Sequence, residues 1–207
     1  MSTEYSIETK MNKDIIIRAG MTAIPHVGGS LAALYFGAKQ EKRFRRLEEF
    51  YEKAQEQLSE NPVDQDTFDK HNQDDLENLI EELHSRVEAE SRESKRELLR
   101  NFFISTLRSP INGDFDERNS FLLALDSMSE LECSLLAFLK SQTEPVQIRN
   151  LTGADTYVLY AGVNKLVSLG FIETRRGSYT MNGMQDENLD DLVFLSGYGK
   201  RFADYIS

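Results

Sequence analysis

The run of residues 19–38, AGMTAIPHVGGSLAALYFGA, carries no charged side chain, and a dense basic cluster follows it directly. No other stretch of that length is free of charge. Twenty residues of α-helix cover about 30 Å, enough to cross the hydrocarbon core of a bilayer. Pro25, His26 and the Gly28–Gly29 pair stand in its middle, however, where a simple spanning helix is least suited to hold them. The run therefore folds either as a tight helical hairpin or as a membrane-touching segment. Its spacing favours the hairpin. Gly29, Ala33 and Gly37 lie four residues apart, giving one small-residue helix face that lets another backbone approach closely. The apolar stripe also continues past the basic residues through Phe44, Leu47 and Leu58, as it does in a packed helix.

The basic cluster comprises Lys39, Lys42, Arg43, Arg45 and Arg46, whereas residues 48–93 are overwhelmingly acidic. Two roles are open to it: pairing with Glu48, Glu49 and Glu52 one turn on, or peripheral contact with anionic headgroups. The chain as a whole has a formal charge of -11, which argues against general affinity for nucleic acid. The single Cys133 forms no internal disulfide, and the polar N-terminus reads as no secretory signal. The expectation is a cytoplasmic protein, with peripheral contact at the inner face of the membrane as the variant reading.

Helical periodicity organises the first half. Residues 1–12 read as a flexible N-terminus and residues 13–110 as a helical module, with helices over 13–24, 30–58 (Ser30 as N-cap) and 74–107. The segment 59–73 reads as a loop with a turn of helix near Phe68. Within the long third helix the stretch AESRESKRE is charged enough to be exposed around most of its circumference. At about 50 Å, that helix would offer a scaffold or a dimer surface.

After the Ser109-Pro110 and Asn112-Gly113-Asp114 turn signals, shorter elements begin, and residues 115–207 read as a winged-helix domain with a small β wing. Helices are expected over 116–126, 129–141, 146–151, 155–169 and 198–206, and strands over 171–175 and 193–196. Gly170, in LGFIE, is placed to cap the fourth of these helices in the left-handed conformation. Winged helices commonly bind DNA, yet the outward positions here, Thr156, Tyr157, Tyr160, Ala161 and Lys165, include one firm cation. Arg149, Arg175 and Arg176 complete a possible contact surface. DNA is disfavoured by charge, and protein docking is preferred.

Candidate chemistry fails residue by residue. Glu81-x-x-His84 is half of a di-iron helical motif whose second half is missing, so both residues are expected on a solvated face. His71 falls in a polar loop without an evident partner, His26 beside Pro25 suits a turn, and Cys133 reads as a buried thiol. GGSLAALYFGAK lacks the ending of a phosphate-binding loop. No catalytic residue, cofactor or metal is expected, and the chain reads as non-enzymatic.

The strings IPHVGGSLAALYFG, RRLEEFYEKAQEQL, RESKRELLRNFFISTL and SMSELECSLLAFLK together resemble a group of poorly characterised bacterial and prophage proteins. These share a glycine-rich first segment, a long charged helix and a winged-helix tail. The closing FLSGYGKRFADYI is similar to the end of the abortive-infection alpha family. The resemblance spans most of residues 13–206. It implies a role in phage–host or mobile-element conflict, and the chain as a whole reads as a protein-interaction protein whose partner is another protein or a second copy of itself. The alternatives are a winged-helix transcriptional regulator and a membrane-associated effector acting through the glycine-rich hairpin.

Overall fold

The computed structural model describes residues 29–176 and 187–207, with side chains from Lys42 onward except those of residues 65, 187 and 188. The helix expected over 13–24, and with it the hairpin turn at His26, lies outside the described residues. Among them the chain is mainly helical, with a small antiparallel sheet near the C-terminus. It divides into two compact units between Leu123 and Ala124, inside one helix.

The first unit is built on α1 (Gly29–Glu60). Gly29 is already helical, so Ser30 lies inside the helix rather than capping it. Leu47, Phe50, Ala54 and Leu58 recur at helical spacing and are buried. A short α2 (Gln65–Asp69) follows, capped by the Asp64 carboxylate, which accepts the Thr67 N–H at 2.6 Å. Asn72 then caps α3 (Gln73–Ala89), which runs antiparallel to α1 and buries Leu76, Leu79, Ile80, Leu83 and Val87.

The helix expected over 74–107 is broken. Residues 90–92 are extended, and α4 (Glu93–Arg108) is a separate helix packed against both α1 and α3. The reason lies in the charged stretch itself. Glu90 turns its carboxylate back to accept the Arg92 N–H at 2.9 Å, an alternative to the helical bond, and pairs with the Arg92 guanidinium at 2.8 Å. The carbonyls left open at the end of α3 are met by arginines. Arg46 donates to Glu88 and Ala89 at 2.6 and 3.2 Å, and Arg96 donates to Glu90 and Ser91 at 3.2 and 3.0 Å. The hydrogen bond from Arg92, with Lys95 also nearby, holds the Glu90 carboxyl down at about 2. Lys95, expected in solvent, is 2% exposed.

Folding back places Phe102, Phe103, Leu99 and Leu107 of α4 in the core. Phe103 meets Phe50 and Tyr51, each with ring centroids 5.7 Å apart. His84, expected on a solvated face, is buried and is hydrogen-bonded through Nε2 to the Tyr51 hydroxyl. Burial pushes the Tyr51 phenol up, so it is the donor and His84 is the neutral acceptor. Burial also pulls the His84 imidazole down to about 4. Beyond α4, Gly113 turns the chain at φ +83° and α5 (Phe115–Ser127) begins. The buried Arg118 clamps that turn, pairing with Asp114 at 2.6 Å and donating to the Ser109 and Pro110 carbonyls.

In the second unit, α6 (Glu130–Ser141) opens with a capping box between Ser129 and Glu132. The helix expected over 146–151 is instead strand β1 (Val146–Gln147) followed by one 3₁₀ turn (Ile148–Asn150). Ile148 and Leu151 still enter the core from it, but Val146 is held by pairing with Val193. Then come α7 (Thr156–Ser168), β2 (Ile172–Arg175), a second 3₁₀ turn (Glu187–Asp190), β3 (Leu192–Leu195) and α8 (Gly197–Tyr205). The antiparallel sheet has the order β1–β3–β2, with Ile172 opposite Leu195 and Thr174 opposite Val193.

Gly170, at φ +77°, ends α7 as expected. The Phe171 N–H reaches the Leu166 carbonyl and the Gly170 N–H that of Val167, a Schellman cap. Phe171 stacks on Phe202 at 4.2 Å. Ser196 donates to the Gly170 carbonyl at 2.6 Å and accepts the Gly199 N–H at 2.8 Å. Gly199 fits because a Cβ there would stand 2.0 Å from the Phe171 carbonyl oxygen.

Gly199→Ala is accordingly expected to destabilise the protein by about 3 kcal/mol in urea unfolding, since the obstacle is backbone. The depressed His84 adds an acid dependence: stability complete above 6.5 falls as pH drops towards 4. The loss is about 3 kcal/mol. Unfolding midpoints measured across that window should slope steeply in the wild type and much less in His84→Gln.

Candidate interaction surface

Burial alternates sharply along α7. Leu159, Val163 and Leu166 face the core, and Gly162 lets α6 come close, a Cβ there lying 3.1 Å from the Leu135 side chain. The opposite face presents Tyr157 at 63% and Val158 at 51% exposure, with Ala161 and Asn164 also in solvent. Asp155 caps the helix through the Tyr157 N–H at 2.9 Å, which fixes the start from which Tyr157 and Val158 project. Thr156 and Tyr160, expected on this face, are half-buried.

Lys165 does not point outward with them. Its ammonium reaches across to α6, pairing with Glu132 at 2.9 Å and donating to the Ser127 carbonyl at 2.5 Å. Burial opposes ionisation of Glu132, but the Lys165 ammonium and the Ser129 N–H outweigh it and hold the carboxyl below its ordinary range. Lys165 thus closes the capping box and is not presented to a ligand. The periodicity counted back from Gly170 missed this because a long side chain at the edge of the core face can turn either way.

The other basic positions are dispersed. Arg149 pairs with Asp190 at 2.5 Å, so the 3₁₀ turn is tied to the segment entering β3. Arg175, at the end of β2, lays its guanidinium over Phe194 at 4.7 Å. Arg176 is exposed just beyond it. The described residues of this unit also line depressions. A groove of about 420 Å³ is lined by Lys140, Glu144, Arg175, Phe194, Lys200 and Asp204. Its Lys140 is engaged with Asp204 and with Ser207, both at 2.8 Å. A cleft of about 320 Å³ lies between α6 and the loop before α7, lined by Leu131, Leu135, Phe138 and Leu151, with Phe138 41% exposed.

In the first unit, Lys42 and Arg45 are exposed and Arg43 half-buried, but Arg46 belongs to the connector between α3 and α4. Gly29, Ala33, Gly37 and Lys39 lie in α1 at the spacing expected; the side-chain contacts of Ala33 and Lys39 fall outside the described residues. Among the described residues, no group of three or more His, Cys, Asp and Glu is placed to hold a metal ion. None of their helices is long and apolar enough to cross a membrane. His71 is buried rather than in an open polar loop, and Cys133 is half-buried.

No protein-family model, curated protein or solved structure matches the chain. Lys165→Ala is expected to cost about 1 kcal/mol of stability, because Glu132 loses its cation while the Ser129 cap remains. Thermal or urea unfolding checks it; an unchanged midpoint would show that the pair adds nothing.

Proposed function

We propose that the protein is a non-enzymatic interaction protein whose C-terminal unit is a winged helix adapted to dock another protein. The element order supports this reading: helix, short strand, 3₁₀ turn, helix, and two paired strands before a closing helix. The observation that carries the choice of protein over DNA is the outward face of α7. Tyr157 and Val158 lead it, and Lys165, the one firm cation expected there, is bonded to Glu132. Base readout needs Arg, Lys, Asn or Gln at base edges, and phosphate binding needs cations free to displace counterions. An aromatic and aliphatic pair on a rigid helix instead has the character of an interface anchor. The proposed setting is phage–host conflict in a bacterium, resting on the likeness of the sequence strings to prophage and abortive-infection proteins.

The DNA-binding regulator is the second reading, favoured by Arg175 and Arg176 at the end of β2. An electrophoretic shift assay at low salt separates the two. The docking reading expects no shift with any duplex, and no difference between wild type and Arg175→Ala/Arg176→Ala. It further expects Tyr157→Asp/Val158→Asp to fold normally while losing the partner that the wild type retains from a bacterial host extract. A duplex shift abolished by the arginine substitutions would overturn it.

A further inference from the structure

His71 carries a feature that the docking reading does not use. It stands between α2 and α3, 5% exposed, and both ring nitrogens are engaged by backbone. Nδ1 accepts the Ile111 N–H at 3.1 Å, so the ring proton belongs on Nε2, which lies 3.3 Å from the Leu107 carbonyl. The next residue completes a reciprocal pair, for the Asn72 N–H donates to the Ile111 carbonyl at 2.9 Å. Residues 71 and 72 thereby clasp Ile111, which is 0% exposed, and fasten the α4–α5 connector to the α2–α3 junction. Asn72 is also the N-cap of α3, so the clasp and the start of that helix share one residue.

We propose that this clasp is an acid-sensitive latch that holds the α4–α5 connector closed only while the imidazole is neutral. Protonation places an N–H on Nδ1 directly against the Ile111 N–H, turning an acceptor into a second donor. The ionic groups around it do not relieve that conflict. Arg118, on α5, opposes a second cation, while Asp114, in the connector, favours one; the two are paired with each other at 2.6 Å. From α2 the neighbour is the Phe68 ring, with centroids 5.9 Å apart, and from α4 it is the Leu107 carbonyl. Burial is the largest influence and holds the imidazole below its ordinary value. The stabilisation is therefore complete above the ordinary histidine range and is lost as pH falls below it. Opening would release the Ile111 side chain and the connector without requiring the α1–α3 packing around Tyr51 and His84 to separate.

The test is amide hydrogen exchange followed residue by residue, normalised to the intrinsic rate at each pH. Between about pH 7.5 and about pH 5, protection of the Ile111 and Asn72 amides should fall on the order of tenfold in the wild type. In His71→Asn, whose side-chain oxygen can accept the same N–H without titrating, it should change by less than about twofold. Equal pH dependence in the two proteins would overturn the latch, because the titrating group would lie elsewhere. The wild-type ring offers a measurement independent of the variant. Nitrogen shifts at neutral pH should report the Nε2–H tautomer, and an Nδ1–H tautomer or an imidazolium would equally overturn it.

Discussion

The extended break at residues 90–92 is the constraint on which the first unit depends. A chain segment as charged as AESRESKRE has no apolar stripe to lose by leaving the helix, and Glu90 offers the backbone a competing partner in the Arg92 N–H. Breaking the helix leaves carbonyls open, and Arg46 and Arg96 supply donors to them from the two neighbouring helices. Because one of those donors comes from α1, the break also sets where α3 ends along α1. His84 then meets Tyr51, and α4 returns with Phe103 against Phe50 and Tyr51. A run of surface charge thus becomes the corner of a core, with Lys95 2% exposed beside Glu90. Such a corner requires all its partners, since a buried cation without its carboxylate is costly.

The second unit depends on a different device, a close backbone crossing. Gly170 ends α7 in the left-handed conformation, Phe171 enters the core, and Gly199 lets the start of α8 pass over the Phe171 carbonyl. Ser196 links the crossing from both sides, to the Gly170 carbonyl and the Gly199 N–H. With the sheet and α8 fixed this way, α7 keeps one face on α6 and leaves Tyr157 and Val158 outside. The Lys165–Glu132 pair sets how α7 meets α6, so the same residue that weakens the case for DNA strengthens the helix packing.

Much of this was legible in the sequence where local rules and tertiary demands agree. The left-handed Gly170, the turn at Gly113 and the stripes Leu76–Leu79–Ile80–Leu83 and Leu159–Val163–Leu166 all follow from local rules. What was not legible required knowing the neighbours. Charge and helix propensity at residues 89–97 favoured continuation, and part of what holds the break, Arg46 on Glu88 and Ala89, comes from more than forty positions away. His71 and His84 looked polar in sequence because their acceptors and donors, Leu107, Ile111 and Tyr51, lie more than thirty positions away. The two-residue strand Val146–Gln147 carries too few residues for any period to show, and its pairing with β3 decides it. On the candidate surface, the exposure of Tyr157 was readable from helix register, but the inward turn of Lys165 was not.

Residues 73–108 form two helices packed side by side rather than one rod. That arrangement also decides what the first unit can offer a partner, for a rod would be a long scaffold and a packed pair is a closed core. Paired spin labels at Asp74→Cys and Arg108→Cys, in a Cys133→Ser background, measure it directly. The folded-back arrangement predicts a separation below about 25 Å, given helix axes about 10 Å apart and the reach of the labels. A separation near 50 Å, the length of a continuous helix over that span, would contradict it.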